Sequence, residues 1–228
     1  MDKGGGSMKV RIDWTYKSPK NKVVQFLSEE LEANEALMVA QDLERTGRTK
    51  RLQFADRHNS NWSIKELRNY IKEVETEPHD VVAYYDGGFD RHLKRAGLGC
   101  VVYFKQNGKD YRLRKNAAID EIDSNNEAEY AALSMAVQEI ELLGVHHLPV
   151  RFIGDSRTLV NQMSGEWAVP EESLARWADR IDQRLEKIGI HPEYEFVPRK
   201  ENAEADRLAT QALGEIMIES LVDLNADN

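Results

Sequence analysis

With 228 residues, 41% of them hydrophobic and 31% charged, the chain is long enough for two domains and has the composition of a soluble globular protein. No apolar run approaches the roughly 20 residues of a membrane span and no signal-peptide pattern opens the chain, so a cytoplasmic address is expected and a membrane partner is not. The formal net charge of −9 is uneven, with 14 Lys/Arg against 13 Asp/Glu in residues 1–78 and 17 against 27 in residues 79–228, which excludes a broad basic footprint for a polyanion on the second half.

Residues 1–7, MDKGGGS, read as a linker or an expression-vector remnant. Residues 8–75 then give strand-like KVRIDWTYK and VVQFLSEEL, helical EANEALMVAQDLERTG, strand-like RLQFADRHN and a helix in SIKELRNYIKEVE. That order, ββαβα, predicts a small α+β accessory domain. Gly47 is placed to stop the first helix and Ser63 with Glu66 to open the second as a capping box. The charged stretch ETEPHD, residues 75–80, is the expected linker.

Residues 79–218 form the second predicted domain. Three β runs, VVAYYDGGF, GLGCVVYF and DYRLRKNAAI, precede a helix from about Glu127 to Leu143, then strand PVRFIGD, helix SRTLVNQMS, a helix from Glu171 to Ile188, strand YEFVPR and a last helix from Asn202 to Ile218. The order βββαβααβα describes an α/β unit in which an antiparallel meander is extended by parallel crossovers, five strands in all. Residues 219–228 are left as a tail. The lone cysteine, Cys100, lies in the apolar run AGLGCVVYF and reads as a small buried hydrophobe, with no partner for an internal disulfide.

Four acidic residues occupy four structural contexts in this second domain. Asp86 follows Val82 and Tyr84 on one face of its strand by period two, and Gly87 and Gly88 follow it at once, which lets a phosphate or a metal ion approach the backbone. In SNNEAEY, Ser124 and Glu127 have capping-box spacing, which leaves Glu129, in the expected first turn, without that structural duty. Asp155 ends a strand just where a helix leaves from Ser156, which can itself cap that helix. Asp206 borders the apolar stripe of the last helix, where an unpaired carboxylate is costly and a metal or an arginine would offset the cost. Three carboxylates at strand or helix edges and a fourth on a later helix can hold two divalent cations about 4 Å apart, an arrangement suited to phosphodiester cleavage.

The motifs DGG, SNNxxE, GDS and ENxxADxLA, in that order and each in its expected element, resemble type 1 ribonuclease H over roughly residues 79–216. The whole chain resembles two-domain bacterial ribonuclease H-like proteins described as reverse-transcriptase-like. The resemblance implies a ribonuclease H-like mixed five-stranded sheet flanked by helices and an endoribonuclease that hydrolyses the RNA strand of RNA/DNA hybrids with two Mg²⁺ or Mn²⁺ ions. By the same resemblance Asp86 bridges both ions, Asp155 holds the one that activates water, and Glu129 and Asp206 help to hold the other; the products are 5′-phosphate and 3′-hydroxyl ends. Substrate contacts are expected from Gly87, Gly88, Asn125, Asn126, Ser156, Arg199 and Lys200. Asn125 and Asn126 have two readings, as helix caps or as amides reaching a minor groove; the resemblance favours the second for at least one of them.

Departures from the family pattern are equally specific. Gly88 stands where a small polar residue is common; VPRKEN holds no histidine, Arg199 and Lys200 being its nearest substitutes; and SGEWAVPEESLARW carries Glu166, Glu171 and Glu172 where some members have a lysine-rich handle. Hybrid binding is therefore expected to be weak and salt-dependent. The basic groups Arg91, Lys94 and Arg95, then Arg112, Arg114 and Lys115, read first as solvated hairpins. Trp167 reads as packing and His146 with His147 as surface loop. The alternative function is a catalytically silent ribonuclease H-fold module that binds nucleic acid or protein; a transposase, integrase or resolvase is disfavoured by the nearly neutral first domain. For that domain, protein interaction or a structural role ranks slightly ahead of nucleic-acid binding, and the oligomeric state is open.

Overall fold

The computed structural model describes residues 8–57 and 59–226, so the reading of residues 1–7 lies outside the described residues. The chain divides after Thr76 into two compact units.

In the first unit, β1 (Lys9–Lys17) is the centre of an antiparallel sheet ordered β2 (Val23–Leu27), β1, β4 (Thr49–Asp56), β5 (Asn61–Trp62), with the two-residue β3 (Leu31–Glu32) also on β1. Helices α1 (Ala33–Arg45) and α2 (Ile64–Thr76) complete it. Period two puts Val10 and Ile12 on one face of β1, where they are buried with Phe54, Leu67, Ala36 and Ala40. Gly47, at φ 67°, takes the left-handed conformation that stops α1. Ser63 and Glu66 exchange both bonds of a capping box, at 2.8 and 3.2 Å. The ββαβα order is present, with two short strands added.

The second unit is built on a six-stranded mixed sheet, β10-β9-β6-β7-β8-β11. Strands β6 (His79–Asp90), β7 (Arg95–Gln106) and β8 (Lys109–Asp120) form the meander, and β9 (Pro149–Gly154) and β10 (His191–Phe196) join β6 in parallel. The β7–β8 turn puts Asn107 and Gly108 at φ 54° and 71°, the conformation of a tight two-residue hairpin. Because β6 begins at His79, the linker expected at residues 75–80 shrinks to the Glu77 and Pro78 that separate it from α2.

The faces of the sheet follow from two adjacent glycines. A Cβ on Gly87 would meet the Ala128 carbonyl carbon of α3 (Asn125–Leu142) at 2.3 Å, and one on Gly88 would meet Leu213 of α6 (Ala203–Leu213) at 3.2 Å. Neighbours in a strand point to opposite sides, so α3 and α6 cover opposite faces. Helix α5 (Glu172–Lys187) packs beside α3 over the larger core, which includes Tyr85, Tyr130, Phe152, Leu133 and Ile181. Cys100 is fully buried on β7, as a small hydrophobe.

The five-strand count and the tail are corrected by the structure. Residues expected as tail form β11 (Glu219–Asp223), antiparallel to β8, and the last helix ends at Leu213, short of Ile218. The cause lies far away in sequence. Buried Asn116 on β8 donates from Nδ2 to the carbonyls of Leu208 and Ile216 and accepts from the Ile218 amide at 2.6 Å. With Glu215 at φ 62°, the chain turns out of the helix and is held as a sixth strand.

Candidate active site

Asp86, Glu129 and Asp155 converge: each offers a carboxylate oxygen, and these lie within 4.8 Å of one another. Asp86 comes from β6 on the α6 face of the sheet and is 6% exposed; Glu129, equally buried, reaches over from α3; half-buried Asp155 directly follows β9. The Glu129 carboxylate accepts the Gly87 amide at 3.3 Å, and Gly87 has no space for a Cβ against the α3 backbone. The first glycine after Asp86 thus serves close packing of strand and helix. Gly88 packs toward Leu213.

Helix α3 starts at Asn125, two residues earlier than its sequence pattern predicts, because Ser124 is the cap and accepts the Glu127 amide at 3.1 Å. Glu129 therefore sits in the second turn. Glu127 accepts from the Asp123 amide at 3.0 Å and from Trp177 Nε1 at 3.1 Å, so the two glutamates separate into a structural one and one that faces the other acids. With Ser124 capping, Asn125 and Asn126 are exposed in the first turn. Ser156 caps α4 (Arg157–Met163), accepting the Leu159 amide at 3.4 Å.

Asp206 lies outside the three-carboxylate group. It is in the first turn of α6 and pairs with Arg199, which sits on a 3₁₀ turn (Arg199–Glu201) with exposed Lys200. Electrostatically it still belongs with the others. Burial, then the charges of Asp155 and Asp206, push Asp86 up to about 7 against the pull of Arg199. Burial, then Asp86 and Asp155, push Glu129 up to about 9, with the Gly87 amide and Arg199 opposing. Acids held this close cannot all ionise without a counter-charge, and the all-oxygen donor set suits hard cations such as Mg²⁺ or Mn²⁺.

Sequence reasoning assigned no role to Asn202. It is 1% exposed and donates from Nδ2 to the Tyr85 carbonyl at 2.9 Å, tying the start of α6 to the residue before Asp86. Its signal was its place in ENxxAD, one residue ahead of the helix, where a cap would be expected; its side chain makes no cap bond. Tyr85 itself packs under Gly154, where a Cβ would lie 2.6 Å from the ring. The basic groups are mostly consumed within the fold: Lys94 by Asp123, Arg95 by Asp120 and Glu215, Arg112 and Arg114 by Glu204, and Lys115 by Glu139 and Glu219. Trp167, read as packing, is 49% exposed, because the turn after α4 holds its backbone to Asn161 and leaves the ring outside.

Among the described residues no helix is long and apolar enough to cross a membrane. The sequence profile of the reverse transcriptase-like family matches residues 84–212. The chain is 38% identical to the uncharacterised protein YpeP of Bacillus subtilis (strain 168) over 224 residues, 97% of this chain and 99% of that one. It is 33% identical over 136 residues to the bifunctional protein Rv2228c of Mycobacterium tuberculosis, covering 58% of this chain and 35% of that protein. Among solved structures, the N-terminal RNase H domain of Rv2228c matches with TM-score 0.52 and 31% identity, over 60% of this chain and 94% of that one. LC11-RNase H1 in complex with an RNA/DNA hybrid matches with TM-score 0.54 and 28% identity, over 60% and 98%. The six-stranded mixed sheet, the helices on its two faces and these matches have one meaning: the chain belongs to the reverse transcriptase-like family, and its second unit has the ribonuclease H fold.

Proposed function

We propose that the chain is an endoribonuclease that hydrolyses the RNA strand of RNA/DNA hybrids with two bound Mg²⁺ or Mn²⁺ ions. The observation that carries this reading is the convergence of Asp86, Glu129 and Asp155 within 4.8 Å, with two of them raised out of the ordinary carboxylate range by burial and by each other. Asp86, Glu129 and Asp155 would hold the cations, Asp206 joining them once Arg199 releases it. Bound there, the ions would supply charge for the developing phosphorane and an acidified water.

The chain's own residues do the positioning. Asn202 and the close Gly87 contact set the depth of Asp86 between α3 and α6. Exposed Asn125 and Asn126 offer amides for the 2′-hydroxyls of the RNA strand, Arg199 and Lys200 offer charge to a phosphate, and Ser156 lies beside Asp155. Hydrolysis adds water across the P–O3′ bond, the hydroxide ending on the 5′-phosphate and the proton on the 3′-oxygen. The setting proposed with it is cytoplasmic, in keeping with a lone buried cysteine.

A second reading, a catalytically silent binding module, is favoured by one observation: six of the eight candidate basic residues, Arg199 among them, are paired with carboxylates of the fold. End-labelled RNA/DNA hybrid, with RNA and DNA duplexes as controls, is offered to wild type and Asp86→Asn with Mg²⁺, Mn²⁺ or EDTA. Metal-dependent cleavage of the hybrid alone, lost in the variant, is the expected result. Binding of hybrid without cleavage under either metal would replace the enzyme by the module.

A further inference from the structure

Four sheet edges are present among the described residues, and three are blunted. β5 is only two residues long; β10, HPEYEF, carries a proline and two glutamates; β11, ESLVD, has an acid at each end. Such features discourage pairing with another chain. β2, VVQFL, has none of them. All five of its residues are exposed, Val23 at 49%, Val24 at 46%, Phe26 at 49% and Leu27 at 59%, and β2 pairs with β1 alone.

We propose that β2 pairs antiparallel with β2 of a second copy of this chain, joining two accessory sheets across a twofold axis at Gln25. Three observations select this occupant. The first is the charge pattern of PKNKVVQFLSEE, which places Lys20 and Lys22 before the strand and Glu29 and Glu30 after it. An antiparallel copy centred on Gln25 sets each basic end beside the other copy's acidic end. None of these four residues takes part in a salt bridge among the described residues.

The second is backbone phase. The Ser28 amide donates to the Ile12 carbonyl at 3.0 Å, so the even-numbered residues of β2 turn their backbone groups toward β1. By alternation, Val23, Gln25 and Leu27 turn theirs outward. Centring on Gln25 opposes these three to Leu27, Gln25 and Val23 of the other copy, so every outward donor meets an outward acceptor. The third is side-chain matching in that same register. Val24 faces Phe26, already stacked on Trp14 at 5.4 Å between ring centres, and Val23 faces Leu27, apolar cross-strand pairs on both faces.

The test is sedimentation of the full chain over a concentration series. Gln25→Pro removes a backbone donor that points away from β1 and an exposed side-chain bond from Nε2 to Asp13, so the backbone pairing of β2 with β1 is retained, as a thermal melt would verify. The variant is expected to dimerise about tenfold more weakly or worse. Lys20→Glu/Lys22→Glu makes both ends of the strand acidic, and Glu29→Lys/Glu30→Lys makes both ends basic. Each alone is expected to be monomeric, and an equimolar mixture of the two to form a heterodimer. A wild type that stays monomeric throughout, or a dimer indifferent to Gln25→Pro and to the charge reversals, would overturn the proposal.

Discussion

At the residue scale, Asp86 and Glu129 are held in their neutral forms by burial first and by neighbouring acids second. A carboxyl raised to about 7, with Glu129 raised to about 9, keeps its proton in the folded chain over a range where the unfolded chain, near 4, gives it up. The folded state then binds more protons, so stability falls as pH rises from about 4 toward 9. Without metal, the melting temperature is expected to drop between pH 5 and pH 8; Asp86→Asn should flatten that slope and raise the unfolding free energy at pH 8 by on the order of 1 kcal/mol or more. Mn²⁺ should restore the wild type and leave the variant unmoved. A slope unchanged by Asp86→Asn in calorimetry would mean that the charge conflict is absent. Arg199 acts from the other side, as the standing counter-ion of Asp206. Removing it with Arg199→Ala should tighten Mn²⁺ binding, read by titration calorimetry, and weaken hybrid binding. Unchanged or looser metal affinity would show that the pair does not compete with the cation.

At the scale of elements, the site depends on how closely two helices approach the sheet. A Cβ on Gly99 would meet the Ala205 carbonyl oxygen at 2.2 Å, and one on Gly97 the Ala209 carbonyl oxygen at 2.2 Å, so α6 lies directly on β7 with no side chain between them. Asp206 is carried in that same first turn. Gly99→Ala is therefore expected to cost about 1–3 kcal/mol by overpacking and to lower cleavage further by moving Asp206, measured by denaturant unfolding beside the hybrid assay. A variant with wild-type stability and activity would show that α6 docks loosely. The period-two pattern of β6 was readable because alternation is local. Which helix each glycine admits was not, since Gly87 meets Ala128 and Gly99 meets Ala205 only after folding.

On the scale of the whole molecule, each unit buries its own apolar cluster, one around Val10, Phe54 and Leu67 and one around Tyr85, Tyr130 and Phe152. Units with separate cores fold separately. Residues 77–228 expressed alone are expected to unfold cooperatively and to keep the Mn²⁺-dependent rise in melting temperature; a fragment without a cooperative transition would show that the first unit is needed for the fold of the second. The acidic balance of residues 79–228 further predicts weak hybrid binding whose loss with added salt is shallow, because few phosphate contacts can be made by lysines and arginines already paired; a steep slope in a salt titration would show that those pairs open to phosphate.

The sequence by itself determined the order of the main elements from β1 to the last helix, the capping spacings at Ser63 and Ser124, and the four acids as the residues to watch. Those signals are carried by periodicity, by spacings of three or four residues and by short motifs. Only the tertiary structure decided which acids meet, because contact between Asp86, Glu129 and Asp155 spans three separate elements. It also decided that Asp206 is held apart by Arg199, and that Asn116 turns the chain from α6 into a sixth strand. Asn116 lies 100 residues from Ile216, and hydrogen bonds across such a distance leave no local trace in the chain that forms them.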